Sequence, residues 1–123
     1  MPSPSPWPHG VWQMLRAELA GETAPELVAR RTVIELSPDR YLVRFDGQPV
    51  DRGTCAIDDT AAPKTMTLCG ESGPNAGRTI PCLYQLVGDR LRICYGLDGT
   101  PPTDFSTAVG QPRYLATYRR HQP

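Results

Sequence analysis

The chain has 123 residues, 14 of them Pro and 11 Gly, and its 13 basic and 13 acidic side chains cancel to a formal charge of zero. That balance excludes the basic excess that nucleic-acid and anionic-membrane surfaces require, and no apolar run reaches the length of a membrane-spanning helix. The proline load excludes a bundle of long helices, since an interior Pro costs a helix about 3 kcal/mol, whereas a hydrophobic content of 39% supplies the core of one small β-rich domain.

Residues 1–8 read MPSPSPWP, with Pro at every second position, and the pattern predicts a polyproline-like or disordered lead over 1–9. The segment has neither a charged n-region nor an apolar h-region, so it is not a secretory signal and a cytoplasmic protein is expected. From Gly10 onward, runs rich in Val, Ile, Leu, Thr and Tyr alternate with Gly, Pro and Asp clusters. Strands are predicted at 10–19, 31–37, 40–46, 50–57, 64–69, 78–87, 90–96 and 113–120. One short helix is expected at Pro25 to Arg30, with Thr23 as N-cap and Pro25 in its first turn. Eight short sequential strands in 10–120 favour an all-β fold, an eight-stranded antiparallel up-and-down barrel, because closure removes exposed edges. Residues 121–123 form a tail.

Turn chemistry supports sequential pairing at Ser37-Pro38-Asp39-Arg40, at Asp46-Gly47-Gln48-Pro49 and at Gly88-Asp89. The last of these sets a register in which Leu86 faces Leu91, Tyr84 faces Ile93 and Cys82 faces Tyr95. Gln85 then faces Arg92, and Leu83 faces Cys94, on the opposite side. The same alternation puts Tyr41, Val43 and Phe45 on one face. Only Pro81 falls within a predicted strand, where its missing N–H predicts a bulge or weak pairing.

The cysteines at 55, 69, 82 and 94 allow three pairings. Alternation sets Cys82 inward and Cys94 outward, and Cys55 out of step with Cys69, so four free thiols in a reducing compartment are expected. There is no CxxC, and His9 and His121 lie at opposite ends of the chain, so neither a metal site nor a cofactor is expected.

The Gly10-Val11-Trp12 start of the first strand and the Arg119-Arg120 end of the last belong to neighbouring antiparallel strands of such a barrel. Together with GVWQMLRAELAGE, ELSPDRYLVRFDGQPVDRGTCAID, YQLVGDRLRICYG and PTDFST, they resemble the lipocalins and the wider calycin group. The set looks like a short bacterial lipocalin-like domain family of planctomycete type. The resemblance implies a barrel floor built from Gly10, Trp12 and Arg119, with a guanidinium over the indole. Arg120, which shares a face with Tyr114, Ala116 and Tyr118, is the alternative cover.

An eight-stranded barrel has room for side chains or for one small ligand. The predicted inward set is Trp12, Met14, Ile34, Leu36, Tyr41, Val43, Phe45, Cys55, Ile57, Met66, Leu68, Ile80, Cys82, Tyr84, Leu86, Leu91, Ile93 and Tyr95. Strict alternation from Trp12 also sends Arg16 and Glu18 inward, where a guanidinium needs a partner such as Glu18 or a ligand anion. A β-bulge after Met14, turning Arg16 to solvent, is the other solution. The expected function is binding of a small apolar or amphipathic molecule, with Arg16, Tyr41, Phe45, Tyr84 and Tyr95 as contacts. No catalytic motif is visible. A cofactor-independent cyclase or isomerase using the same lumen, and an interaction or inhibitory module with a filled core, are the alternatives.

Overall fold

Period-two alternation persists through most of the chain, and the computed structural model, which describes residues 8–60 and 62–121, turns it into nine strands and one short helix. These are β1 (Gly10–Leu19), β2 (Glu22–Thr23), α1 (Glu26–Arg30), β3 (Thr32–Leu36), β4 (Arg40–Phe45), β5 (Gln48–Asp58), β6 (Lys64–Ser72), β7 (Thr79–Val87), β8 (Arg90–Gly96) and β9 (Arg113–Arg120). The strands pair antiparallel in the order β2-β1-β3-β4-β5-β6-β7-β8-β9, and β9 pairs back onto β1. Eight strands therefore close a barrel, and the two-residue β2 folds back on the end of β1 through Glu18↔Thr23 and Leu19↔Glu22. Thr23 is thus a ladder residue, not a helix cap. Pro25 starts α1 without a side-chain cap bond. The Gln13 amide fastens the helix to β1 by donating to the Ala29 and Arg30 carbonyls at 3.1 and 3.0 Å.

The hairpin register read around Gly88-Asp89 is the one observed, from Cys82↔Tyr95 to Val87↔Arg90. At Asp46-Gly47 both central residues have positive φ, 56° and 82°. This is the mirror-image turn whose twist matches paired strands, so the ladder starts at Phe45↔Gln48 and β5 begins earlier than its composition suggests. Pro49 then lies inside a strand, and the ladder accommodates it with a register shift that leaves Val50 as the extra residue between Pro49 and Asp51. At Pro81 no such shift occurs. It stands opposite Thr67 in an unbroken β6–β7 ladder, and the β8 ladder begins one residue later at Cys82, beyond its missing N–H. The bulge expected at Pro81 is found at Val50 instead.

All but one of the predicted inward residues pack in the barrel interior, joined by Ala17, Ala29, Ala116 and Tyr118. The exception is Phe45, which is 36% exposed. As the last residue of β4 it sits at the rim, beside the turn, where no facing strand covers it. Leu83 and Cys94 point outward, as the register requires, yet both are buried. Segment 97–112 crosses that outer face: Pro102 is buried, Arg92 lies 4.5 Å from the Phe105 ring centroid, and Arg113 pairs with Asp104 at 2.9 Å. The four cysteines are free thiols.

One end of the barrel is sealed around Trp12, which is fully buried. Its Nε1–H donates to the Pro8 carbonyl at 3.0 Å, and the Arg120 guanidinium lies 4.4 Å from its ring. Arg120 also donates to the His9 carbonyl at 2.8 Å. Pro8 is fully buried and His9 holds this contact, so the last two residues of the expected disordered lead belong to the floor; 1–7 lie outside the described residues. Arg119 is not the cover. The register places Trp12 opposite Arg120 and Gln13 opposite Arg119, so Arg119 points outward to Asp89 at 3.5 Å.

A cation–π contact is worth about 0.5–2 kcal/mol and a hydrogen bond from a charged donor about 1.5–3 kcal/mol. Arg120→Met is therefore expected to lower unfolding free energy by about 2–4 kcal/mol in urea titrations. Arg119→Ala, which removes only an exposed ion pair, should change it by less than about 0.5 kcal/mol. Equal effects of the two substitutions would contradict this assignment of the floor.

Candidate ligand site at the open end of the barrel

Up-and-down connection sends α1, the 46–47 turn and the 73–78 and 97–112 segments to the end opposite Trp12. Between them the interior is incompletely filled, leaving a cavity of about 170 Å³. Met14, Ile34, Val43, Leu68, Ile80 and Leu97 form its apolar wall. Tyr41, Asp51, Asn75, Tyr95, Tyr114 and Tyr118, with Thr32, supply the polar atoms. A larger groove of about 650 Å³ runs over the outside past Val11, Glu35, Leu42 and Arg52. That groove is an open depression bridged by the Arg40–Glu71 ion pair and edged by Glu35 and Arg52. The interior cavity is the better enclosed of the two.

Among the described residues Asp51 is the one buried Asp, Glu, Lys or Arg, at 9% exposure. Its position follows from β5: below the Val50 bulge, residues 51, 53, 55 and 57 face inward in step with Cys55. Both carboxylate oxygens are engaged. The Tyr41 hydroxyl donates to Oδ1 at 3.2 Å, and Asn75 Nδ2 donates to Oδ2 at 2.7 Å. The loop after β6 brings Asn75 there by folding back onto its own strand, with Gly70 N–H and C=O bonded to Arg78 and Gly77. A Cβ on Gly70 would fall 1.9 Å from the Asn75 carbonyl oxygen, and one on Gly73, at φ +99°, 2.3 Å from the Val50 carbonyl oxygen. Both closures need glycine. Arg78 Nη1 donates to Asn75 Oδ1 at 3.3 Å, which fixes the amide with its NH₂ toward Asp51.

The opposite wall is phenolic. Tyr95 and Tyr118 share a buried hydroxyl–hydroxyl bond of 2.7 Å, and the Tyr95 and Tyr114 rings meet at 5.4 Å and a tilt of 50°. The Tyr114 hydroxyl reaches Met14 Sδ at 3.8 Å. Burial holds the phenols of Tyr95, Tyr114 and Tyr118 above their ordinary value, and burial followed by the Asp51 charge does the same to Tyr41. These are neutral hydroxyls at neutral pH, able to donate.

Two of the five expected contacts, Tyr41 and Tyr95, line this cavity. Arg16 does not. The β1–β9 ladder jumps from Met14↔Tyr118 to Arg16↔Thr117, so Leu15 is the extra residue and inward phase passes from Met14 to Ala17. Arg16 is left 62% exposed, paired with Glu18 at 2.7 Å. Phe45 stands at the rim. Tyr84 is buried but lies opposite Lys64 on the far side of the barrel, its hydroxyl without a partner among the described residues. Burial, with the charge of Asp59, pushes its phenol up to about 12. Gly10, Trp12 and Arg120 belong to the sealed end.

Asp51, Asn75, Tyr114 and Tyr118 were missed. Counting back by two from Ile57 and Cys55 reaches Asp51, and Tyr114 and Tyr118 share a face with Arg120, so three of the four carried a signal. Asn75 carried none, since it sits in a loop. Among the described residues no three His, Cys, Asp or Glu side chains gather as a metal site, and no helix is long and apolar enough to cross a membrane.

The raised thiol and phenol values predict alkaline sensitivity. Burial pushes Cys55 from 9.0 up to about 11, and Tyr84 moves from 10.0 to about 12. The unfolded chain ionises first, so the stabilisation is complete below pH 9 and is lost as pH rises from 9 to 12, at about 1.4 kcal/mol per group per pH unit. Urea midpoints at pH 8 and pH 11 should differ markedly; equal midpoints would overturn this.

No protein-family model matches the chain, and no curated protein and no solved structure matches it.

Proposed function

We propose that the protein binds one small apolar or amphipathic molecule, of about the size of a single ring, in the open-end cavity. The observation that carries the reading is a void of about 170 Å³ walled by apolar side chains on which oriented polar groups converge. Protein interiors pack to near-crystalline density, so a gap of this size in so small a core is a departure that ligand binding accounts for. An apolar cavity of about 150 Å³ is enough to take up benzene. The neutral phenols and the Asp51 carboxylate then orient the polar end of the guest. An unfilled interior weighs against the reading of the chain as an interaction module with a solid core.

The sealed end supports a place among the lipocalin-like barrels, since Trp12 near the start of β1 lies under a guanidinium from the end of β9. Four free thiols, three of them buried, fit a reducing compartment such as the cytoplasm. Methyl NMR titration with toluene tests the binding reading. Shifts are expected at Met14, Ile34 and Ile80, and Val43→Phe, which places a ring in the void, should abolish them while the fold persists. Toluene shifts elsewhere only, or shifts undiminished in Val43→Phe, would sink the proposal.

A further inference from the structure

The lining of the cavity has one sign of charge. Among its residues Asp51 is the sole Asp or Glu, and no Lys, Arg or His joins it. A buried carboxylate ordinarily sits against a cation. Here its two bonds come from neutral donors, the Tyr41 hydroxyl and the Asn75 amide. The nearest guanidinium in this chain of bonds, Arg78, stops one residue short, on the far side of the Asn75 amide. A carboxylate accepts about four hydrogen bonds, so Asp51 keeps unused acceptor capacity beside the void.

We propose that the ligand carries a protonated amine on its ring-sized apolar body, and that Asp51 is the counter-charge. This rests on the reading of the cavity as a ligand site and names the chemical class it selects. Three features converge. Folding has already buried most of Asp51 and engaged both its oxygens, so part of the carboxylate's desolvation precedes binding. Tyr95 and Tyr114, tilted against each other at 5.4 Å, both line the void, and aromatic rings attract cations. The apolar wall of Ile34, Val43 and Ile80 takes the rest of the guest. An anion of the same shape meets repulsion from Asp51 and finds no cation, and Arg16, once expected to receive it, is outside the barrel. A neutral alcohol fits but gains no charge-assisted bond.

Three probes of one shape decide the matter: benzylamine, benzyl alcohol and benzoate, titrated by methyl NMR. Benzylamine is expected to bind about ten- to a hundredfold more tightly than benzyl alcohol, with benzoate weakest. In Asp51→Asn, which keeps shape and removes charge, amine and alcohol should bind alike. Asn75→Ala retains the carboxylate and should retain the preference for the amine. If benzyl alcohol or benzoate equals or exceeds benzylamine at the cavity methyls, the amine assignment falls while the ligand-site reading stands. If none of the three shifts those methyls, both fall. Should Asp51→Asn not fold, the ranking on the native chain decides alone.

Discussion

Eight strands make a closed wall only if the first and last meet in register, and here that meeting carries an extra residue. With Leu15 looped out of the β1–β9 ladder, Trp12 and Met14 face inward on one side of the bulge and Ala17 on the other. Without it, a guanidinium and a carboxylate from residues 16 and 18 would stand in an apolar lumen, at a cost of several kcal/mol unless tightly paired. The same ladder sets both ends of the molecule. Trp12 falls opposite Arg120, which seals the floor, and Met14 falls opposite Tyr118, which walls the cavity. Floor and pocket are thus two readouts of one register.

The interior is graded along the barrel axis. Near the floor it is closed, with an indole held from above by a cation and from the side by a backbone carbonyl. Toward the mouth it becomes phenolic and then acidic, and the packing loosens there. The tyrosine hydroxyls bond mostly to one another or to Asp51, which limits the cost of burying them. The Asp51 carboxylate keeps acceptor capacity beside the void, and the proposed preference for an amine rests on it.

Alternation made most of the fold legible in the sequence. The strand runs, the Gly88-Asp89 register and the inward set could be read because each face is distinguished by side-chain polarity over several residues. The sequence pattern left a phase change after Met14 as one of two solutions and did not show the others. Extra residues at Leu15, Val50 and Glu71 shift one strand against its neighbour, and a bulge has no composition of its own. Phe45 was misplaced by its seat at a strand end; for Arg16, named as a contact, the alternative of a bulge after Met14 is the one observed. Arg119 was preferred on resemblance, although shared phase with Tyr114 and Tyr118 already pointed to Arg120. Asp51 was passed over because a carboxylate does not look like an inward residue, even where the count by two puts it there.

One polar residue of the cavity, Asn75, comes from outside the barrel wall. Asn75 hangs from a glycine-hinged loop that folds back at Gly70 and presses on β5 at Gly73, and its amide is bonded to Asp51. One polar group of the proposed site is therefore set by a loop that is not part of the core ladder. A change confined to this one loop would alter the polar lining at the mouth while floor, ladder and core stay as they are.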